Sequence, residues 1–305
     1  MFFMIYYFEH NLINLQVIYI INFYIFDRKI LTIINRTLNI IILTFSINLY
    51  CQSFDKVIKL PKILKETSAL EYHGDNFITL NDSGSKAVLY EFNVSGEIIN
   101  EFYIDNANNY DWESLAKDND CFFIGDIGNN YGIRDNLKIY KISINNFKKI
   151  DEIKFSYKNQ TKFNLNKYTE YDAEAITIFK DMLLMFSKNR KSLTTEGYLI
   201  SKTPGEYIIE PTFSFDVEGL ITGADYNDNL KLLMLVGYDF SGTQFICKVD
   251  NFNPYEINKN NIKKIVLPID KAQMEGIKII DLNTFWITSE DEGKNSSPRL
   301  FRIKL

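Results

Sequence analysis

Acidic side chains recur along this chain inside a short motif that is repeated five times. Each motif combines one carboxylate with small and apolar residues, and consecutive carboxylates are 47 to 61 residues apart. Carboxylates gathered in one place repel one another unless a cation or hydrogen-bond donors offset their charge. The motif therefore predicts either a repeated structural brace or a site for a metal or ligand. The aligned carboxylates are Glu66, Glu113, Glu174, Asp225 and Glu275.

A second group of polar residues follows each of these acids by 13 to 15 residues, which places it at the ends of the next strands. We expect this group on the same rim as the acids. Lys188 and Arg190 are the basic members, and they either meet an anionic ligand or form a solvated pair. The candidate ligand-binding residues are Asn81, Asp82, Asp111, Trp112, Glu113, Asp126, Asn129, Lys188, Arg190 and Glu290.

Calcium is the cation that such a rim would favour, because Ca²⁺ takes about six to eight oxygen ligands from carboxylates, amides and carbonyls. The alternative is that each carboxylate accepts hydrogen bonds from backbone N–H groups and connects one repeat to the next. Repetition favours this structural interpretation for Glu66, Glu174, Asp225 and Glu275. Both interpretations stay open for the densest group, Asp111, Glu113 and Asp126. The candidate metal ligands are Glu66, Asp111, Glu113, Asp126, Asp172, Glu174, Asp225 and Glu275.

Several functional classes have no support in the sequence. Only two histidines occur, so a multi-histidine zinc site is not expected. No Gly-x-Ser-x-Gly elbow, P-loop or HExxH motif is present. The net charge of −5 gives a nucleic-acid partner no electrostatic support. The sequence does not decide whether the protein is an enzyme; if it is one, a metal-dependent hydrolase is the expected class.

The elements that would position these residues are short antiparallel strands. Each motif is followed by an apolar stretch, a turn rich in Asn, Asp or Gly, and further alternating strands. Self-similarity at about 40–50 residues is typical of a β-propeller, with one motif in each blade. We predict an all-β propeller of five four-stranded blades, with six blades as the alternative. The strand at residues 55–60 would complete the last blade and close the ring.

The N-terminal residues differ from the repeats. Residues 28–51 combine Arg28, Lys29 and Arg36 with an apolar run, as in a secretory signal peptide. Residues 1–27 are apolar and aromatic, which fits an extra membrane segment or a start assigned too far upstream. Cys51 leaves a lipid anchor open. We expect residues 52–305 to be the exported domain, in the periplasm, at the outer-membrane surface or outside the cell.

The ordered motifs resemble those of a known group of proteins. The segments that carry the resemblance are 66–70 (ETSAL), 81–84 (NDSG), 111–113 (DWE), 125–130 (GDIGNN) and 172–175 (DAEA). Together they are similar to secreted bacterial β-propellers of uncharacterised function, near the SdiA-regulated and esterase-like phytase families, over about residues 58–305. The resemblance implies an exported propeller that is sometimes lipid-anchored. It also implies that a carboxylate-rich channel mouth could hold Ca²⁺ against a phosphate, which Lys188, Arg190 and Arg134 would contact.

Three functions remain in competition at this point. The first is an exported binding or scaffold propeller with Ca²⁺ or a small polar ligand at the acidic rim. The second is a calcium-dependent phosphoesterase or esterase in which Asp111, Glu113 and Asp126 hold the metal. The third is a purely structural ring whose outer face binds a component of the cell envelope. A monomer is expected in each case.

Overall fold

The computed structural model describes residues 53–269, 272–290 and 297–305. The interpretations of residues 1–27 and 28–51, including Cys51, lie outside this range. The described residues form five sheets, the blades of a β-propeller, so the predicted fold class and blade number are confirmed. No helix within the described ranges is long and apolar enough to cross a membrane.

The blades follow one another along the chain, and each runs from an inner strand outwards. Blade 1 contains β2 (Glu71–His73), β3 (Asn76–Leu80), β4 (Val88–Phe92) and β5 (Ile98–Tyr103). Blade 2 contains β6 (Trp112–Lys117), β7 (Cys121–Asp126), β8 (Lys138–Ser143) and β9 (Lys149–Tyr157). Blade 3 contains β10 (Ala173–Phe179), β11 (Met182–Ser187), β12 (Thr194–Ser201) and β14 (Phe213–Asp216).

The last two blades have the same order. Blade 4 contains β15 (Leu220–Asn227), β16 (Leu232–Tyr238), β17 (Gln244–Val249) and β18 (Ile262–Val266). Blade 5 contains β19 (Met274–Ile279), β20 (Thr284–Ser289), β21 (Arg299–Lys304) and β1 (Ser53–Lys59). Strand β1 pairs antiparallel with β21, which confirms that an N-terminal strand closes the ring.

One segment differs from the predicted strand pattern. The outer strand of blade 3 is predicted at residues 207–213, but the structure divides this region into two strands. Strand β13 (Gly205–Ile209) pairs in parallel with β9 and adds a fifth strand to blade 2. Strand β14 then pairs with β12 as the outer strand of blade 3. The connection between β12 and β14 therefore links blade 3 to its neighbour.

Burial explains why the blades form a ring. The second strands β7, β16 and β20 are almost entirely buried, whereas the outer strands β5 and β18 are largely exposed. Buried apolar residues form five clusters, and each cluster joins two successive blades. The cluster between blades 5 and 1 includes an edge-to-face contact between Phe77 and Trp286, whose ring centroids are 5.3 Å apart. Each blade thus buries its faces against both neighbours.

Candidate functional site

A β-bulge recurs at the start of the inner strands and positions the acidic residues. In blade 2, Trp112 pairs with Asp126 and Ser114 with Gly125, so Glu113 is the extra residue. The same register shift leaves Glu174 unpaired in blade 3. In blade 5 it falls at Glu275 and Gly276, between the paired residues Met274 and Ile277. A bulge redirects a side chain away from the regular alternation of a strand. The three glutamates therefore occupy one repeated position.

The alignment of Glu66 and Asp225 with these glutamates is wrong. In blade 4 the residue at the bulge is Thr222, and Asp225 lies three residues further along β15. In blade 1 the corresponding register shift lies between Thr67 and Glu71, after Glu66. The sequence motif tolerates offsets of this size because short apolar and small residues flank every acid. The register of the strand pairs resolves the ambiguity.

Three carboxylates from blades 1 and 2 converge, and we call Asp82, Asp111 and Glu113 the mouth cluster. Each offers one oxygen, and these oxygens all lie within 4.8 Å of one another. Glu113 is only 4% exposed, and neither its carboxylate nor that of Asp111 accepts a hydrogen bond from the described residues. Asp82 accepts one, from the N–H of its neighbour Ser83. The mouth cluster is thus crowded, partly buried and almost without donors.

The backbone of Gly128 covers one side of the mouth cluster. A Cβ at this position would collide with Asp111 Oδ2 and Glu113 Oε1. The N–H groups of Ile127 and Gly128 both donate to the backbone carbonyl of Asp111, at 3.1 and 3.2 Å, which fixes this loop against the cluster. A residue with a side chain here would displace the two carboxylates.

Burial and mutual repulsion raise the pKa values of the cluster. The pKa of Asp111 is raised to about 6, chiefly by burial and then by the charge of Asp82. Burial also raises the pKa of Glu113 well above its usual value, and the charges of Glu174, Asp82 and Asp111 add to the effect. For Asp82 burial is again the main cause of a raised pKa. Burial and crowding together make negative charge at this position unfavourable.

The basic side chains of the rim are bound to other carboxylates. Lys188 pairs with Glu174, and its ammonium group lies 5.2 Å from the centroid of the Tyr238 ring. Burial opposes the charge of Lys188, but Glu174, Tyr238 and Glu275 together outweigh it and raise the pKa of the lysine. Arg190 pairs with Asp172 and donates to Asn130 Oδ1 at 2.5 Å.

Asp126 and Asn129 belong to the same supporting network. Arg134 Nη2 donates to Asp126 Oδ1 at 2.8 Å, and the N–H of Asp111 donates to the same oxygen at 3.1 Å. Asn129 bonds through its amide nitrogen to the carbonyl of Tyr171, and its backbone N–H donates to Asp172 Oδ1 at 2.7 Å. The contacts of Asn129 join blades 2 and 3 at the rim, whereas those of Asp126 lie within blade 2.

The remaining predicted ligand-binding residues do not all lie at the mouth cluster. Trp112 is fully buried in the core between blades 1 and 2, and its indole N–H donates to the carbonyl of Asn108 at 3.0 Å. Asn81 donates to the carbonyl of Ile63, while its buried Oδ1 has no partner within the described part of the chain. Burial raises the pKa of Glu290 to about 8, and the charges of Asp82 and Glu174 contribute. Trp112 is thus a core residue, whereas Glu290 lies within electrostatic reach of the mouth cluster.

A second charged group lies three residues further along the inner strands, and we call Glu71, Asp225 and Lys278 the deep triad. Lys278 Nζ is 2.8 Å from Glu71 Oε2 and 2.9 Å from Asp225 Oδ1. The N–H of Ile279 donates to Asp225 Oδ2 at 2.8 Å. Burial opposes the charge of Lys278, but the two carboxylates outweigh it and raise the pKa of the lysine. Asp225 therefore braces blades 4 and 5.

Sequence reasoning missed Glu71 and Lys278. The signal that identifies them is their spacing, since each follows the bulge position of its blade by the same three residues as Asp225 follows Thr222. That spacing is visible only after the bulge is aligned on Thr222 instead of Asp225.

Comparisons with known proteins support the fold. No protein-family model matches the sequence, and no curated protein matches it. The crystal structure of Myxococcus xanthus glutaminyl cyclase is similar to this chain with a TM-score of 0.54 and 10% identity, over 83% of this chain and 95% of that one. A chain in the crystal structure of the mitotic checkpoint complex has a TM-score of 0.46 and 9% identity, over 83% of this chain and 94% of that one. The first likeness shows the propeller fold, and the similarity to SdiA-regulated and phytase-like propellers stays a resemblance.

Proposed function

We propose that this chain is an exported binding propeller whose channel mouth holds Ca²⁺, with Asp82, Asp111 and Glu113 as carboxylate ligands. One observation carries the proposal. Three carboxylate oxygens lie within 4.8 Å of one another, and those of Asp111 and Glu113 receive no hydrogen bond from the described residues. A carboxylate without a hydrogen-bond donor is unfavourable in a crowded and partly buried group, so two of them side by side favour a bound cation.

The chemistry of the donors favours calcium over other metals. The cluster offers oxygen alone, and hard cations such as Ca²⁺ and Mg²⁺ prefer oxygen ligands. Calcium accepts irregular and incomplete protein coordination more readily than magnesium does, and a small polar ligand can supply the remaining oxygens. Such a ligand would bind on the metal at the open side of the channel mouth.

The phosphoesterase alternative lacks a comparable observation. Lys188 and Arg190, the residues expected to contact phosphate, are paired with Glu174 and Asp172. Arg134 is paired with Asp126. Binding a phosphate through these basic residues would require their ion pairs to break. The buried carboxylates of those pairs would then lose their counter-charge. We therefore propose binding, without hydrolysis, as the function.

The test is thermal unfolding of the purified full-length chain in EDTA, in Ca²⁺ and in Mg²⁺. Ligand that binds only the native state raises stability by about 2.7 kcal/mol at a concentration 100 times Kd. We expect Ca²⁺ to raise Tm and Glu113→Gln to abolish the shift. The control is Glu256→Gln, because Glu256 is exposed and distant in sequence from the motifs. An unchanged Tm of the wild-type protein in Ca²⁺ would overturn the proposal.

Gly128→Ala provides a second variant that retains every carboxylate. Its new methyl group would displace Asp111 and Glu113, so the calcium shift should be lost although no ligand has been removed. A Gly128→Ala protein that folds and still shows the full shift would place the ion elsewhere. Assays with phosphate and carboxylic esters in Ca²⁺ should give no turnover.

A further inference from the structure

A cavity between blades 2 and 3 has three tyrosines and two glutamates in its walls. It has a volume of about 190 Å³, and Tyr157, Tyr171, Tyr198, Glu170 and Glu196 line it. The ring centroid of Tyr157 is 5.5 Å from that of Tyr171 and 5.4 Å from that of Tyr198. The Tyr157 ring makes angles of 41° and 68° with these two rings, so the aromatic walls are inclined to one another.

The hydroxyl of Tyr157 lacks a hydrogen-bond partner within the described residues. Tyr157 is 4% exposed, and its Oη is buried without a hydrogen-bond partner there. Burial raises the pKa of Tyr157 well above its usual value, and the charges of Tyr198, Asp172 and Glu196 contribute, so the hydroxyl stays neutral and able to donate. A buried hydroxyl without a partner on the wall of a cavity points to an oxygen supplied by a ligand.

The carboxylates of the cavity leave one negative charge without a cation. Glu196 accepts hydrogen bonds from Ser187 Oγ, from Asn189 Nδ2 at 3.0 Å and from Thr194 Oγ1 at 3.3 Å, all of which are neutral. Glu170 is instead paired with Lys191 at 2.7 Å. Lys158, which also lines the cavity, is paired with Glu210 at 2.6 Å. Glu196 therefore has hydrogen-bond donors but no cationic partner among the described residues, and it lines the same cavity as the three tyrosines.

We propose that this cavity binds a small organic ammonium ion that carries an oxygen, as choline does. Aromatic faces attract a cation through their quadrupole, and groups of aromatic residues around a quaternary ammonium are a common form of this interaction. Glu196 would supply the counter-charge, and Tyr157 Oη would donate to the oxygen of the ligand. The cavity volume of about 190 Å³ suits a small free ammonium ion of the size of choline. This site is separate from the mouth cluster and does not depend on calcium.

The test is calorimetric titration of the full-length protein with choline, with its neutral isostere 3,3-dimethylbutan-1-ol and with tetramethylammonium. Choline should bind about tenfold more tightly than the isostere, which has the same shape without the charge. It should also bind more tightly than tetramethylammonium, which has no oxygen. Equal binding of choline and the isostere, or no binding of choline, would overturn the proposal.

Variants test which residues carry the binding. Tyr171→Leu and Glu196→Gln should each weaken choline binding about tenfold, whereas Tyr255→Leu, which changes an exposed tyrosine, should not. Tyr157→Phe should weaken choline and leave tetramethylammonium unchanged. Glu113→Gln should leave choline binding intact, so this site and the calcium site succeed or fail independently. Circular dichroism confirms that each variant is folded, and choline binding that survives both Tyr171→Leu and Glu196→Gln would refute the assignment.

Discussion

Two layers of carboxylates line the channel of this propeller. One layer has a cation and hydrogen-bond donors among the described residues, and the other has almost none. In the deep triad, Lys278 lies between Glu71 and Asp225, and a backbone N–H completes the coordination of Asp225. In the mouth cluster, Asp111 and Glu113 receive no hydrogen bond from the described residues. Only three residues along the same kind of strand separate these two environments.

The difference shows that a repeated position does not fix the role of its residue. Glu174 and Glu113 both occupy the bulge position, but Glu174 is paired with Lys188 whereas Glu113 faces two other carboxylates. A compensated carboxylate contributes to the stability of the ring. An uncompensated one lowers stability until a cation binds, which is the behaviour expected of a binding site.

The largest effect should come from removing the cation of the deep triad. Lys278→Met leaves Glu71 and Asp225 buried without a counter-charge, and breaking a buried pair typically lowers the free energy of unfolding by about 3–5 kcal/mol. Urea denaturation measures this change, with Lys62→Met at an exposed site as the control. The triple variant with Glu71→Gln and Asp225→Asn should recover part of the loss. A fully stable Lys278→Met protein would contradict a structural role for the triad.

A matched pair of amide substitutions compares the two layers directly. Asp225→Asn weakens bonds to Lys278 and Ile279 and should lower the free energy of unfolding by about 1.5–3 kcal/mol, as for hydrogen bonds to charged groups. Glu113→Gln removes no hydrogen bond and relieves repulsion, so in EDTA it should leave stability unchanged or raise it by up to about 1 kcal/mol. Urea denaturation in EDTA measures both. Equal losses in the two variants would remove the distinction between the layers.

The fold could be predicted from sequence because it depends on repetition. The spacing of the motifs, the turn residues and the alternating strands gave five blades and the closure by residues 55–60. Strand β13 could not be predicted, because parallel pairing with β9 depends on which neighbouring edge is free in three dimensions. The sequence of this segment fits an outer strand of either blade.

The site was harder to predict than the fold. The sequence correctly grouped Glu113, Glu174 and Glu275 at one repeated position, but it could not distinguish Thr222 from Asp225 as the fourth member. Which carboxylate receives a cation depends on long side chains from other strands, such as Lys188 and Lys278. Those contacts have no local sequence signature, and neither does the meeting of Tyr157, Tyr171 and Tyr198 around one cavity.

The pH dependence of stability should report the raised pKa of Glu290, which lies within electrostatic reach of the mouth cluster. The pKa of Glu290 is raised to about 8 in the native state, so the native protein binds this proton more tightly than the unfolded chain does. The resulting stability is fully present below the unfolded pKa of about 4.5 and is lost as the pH rises through about 8. We expect Tm in EDTA to fall between about pH 5 and about pH 8, and Glu290→Gln to flatten the curve. A Tm that rises over this range because of Glu290 would contradict the sign of the shift.

The smallest effect is expected at Glu275, which combines features of both layers. Its Oε1 accepts a hydrogen bond from Gln273 at 2.5 Å, while its buried Oε2 has no partner in the described part of the chain. Burial and the charges of Glu290 and Glu174 raise its pKa well above the usual value. Glu275→Gln keeps the size of the side chain and the oxygen that accepts from Gln273, so the free energy of unfolding at pH 7 should change by less than about 0.5 kcal/mol.

The same variant tests the extent of the proposed calcium site. If only Asp82, Asp111 and Glu113 hold the ion, Glu275→Gln should keep the full calcium shift in Tm, whereas Glu113→Gln should lose it. A shift that disappears in both variants would show that the ion is shared across the channel by blades 2 and 5. The bulge position would then act as one site in several blades, and the contrast between Glu113 and the other glutamates would be smaller than the hydrogen bonds indicate.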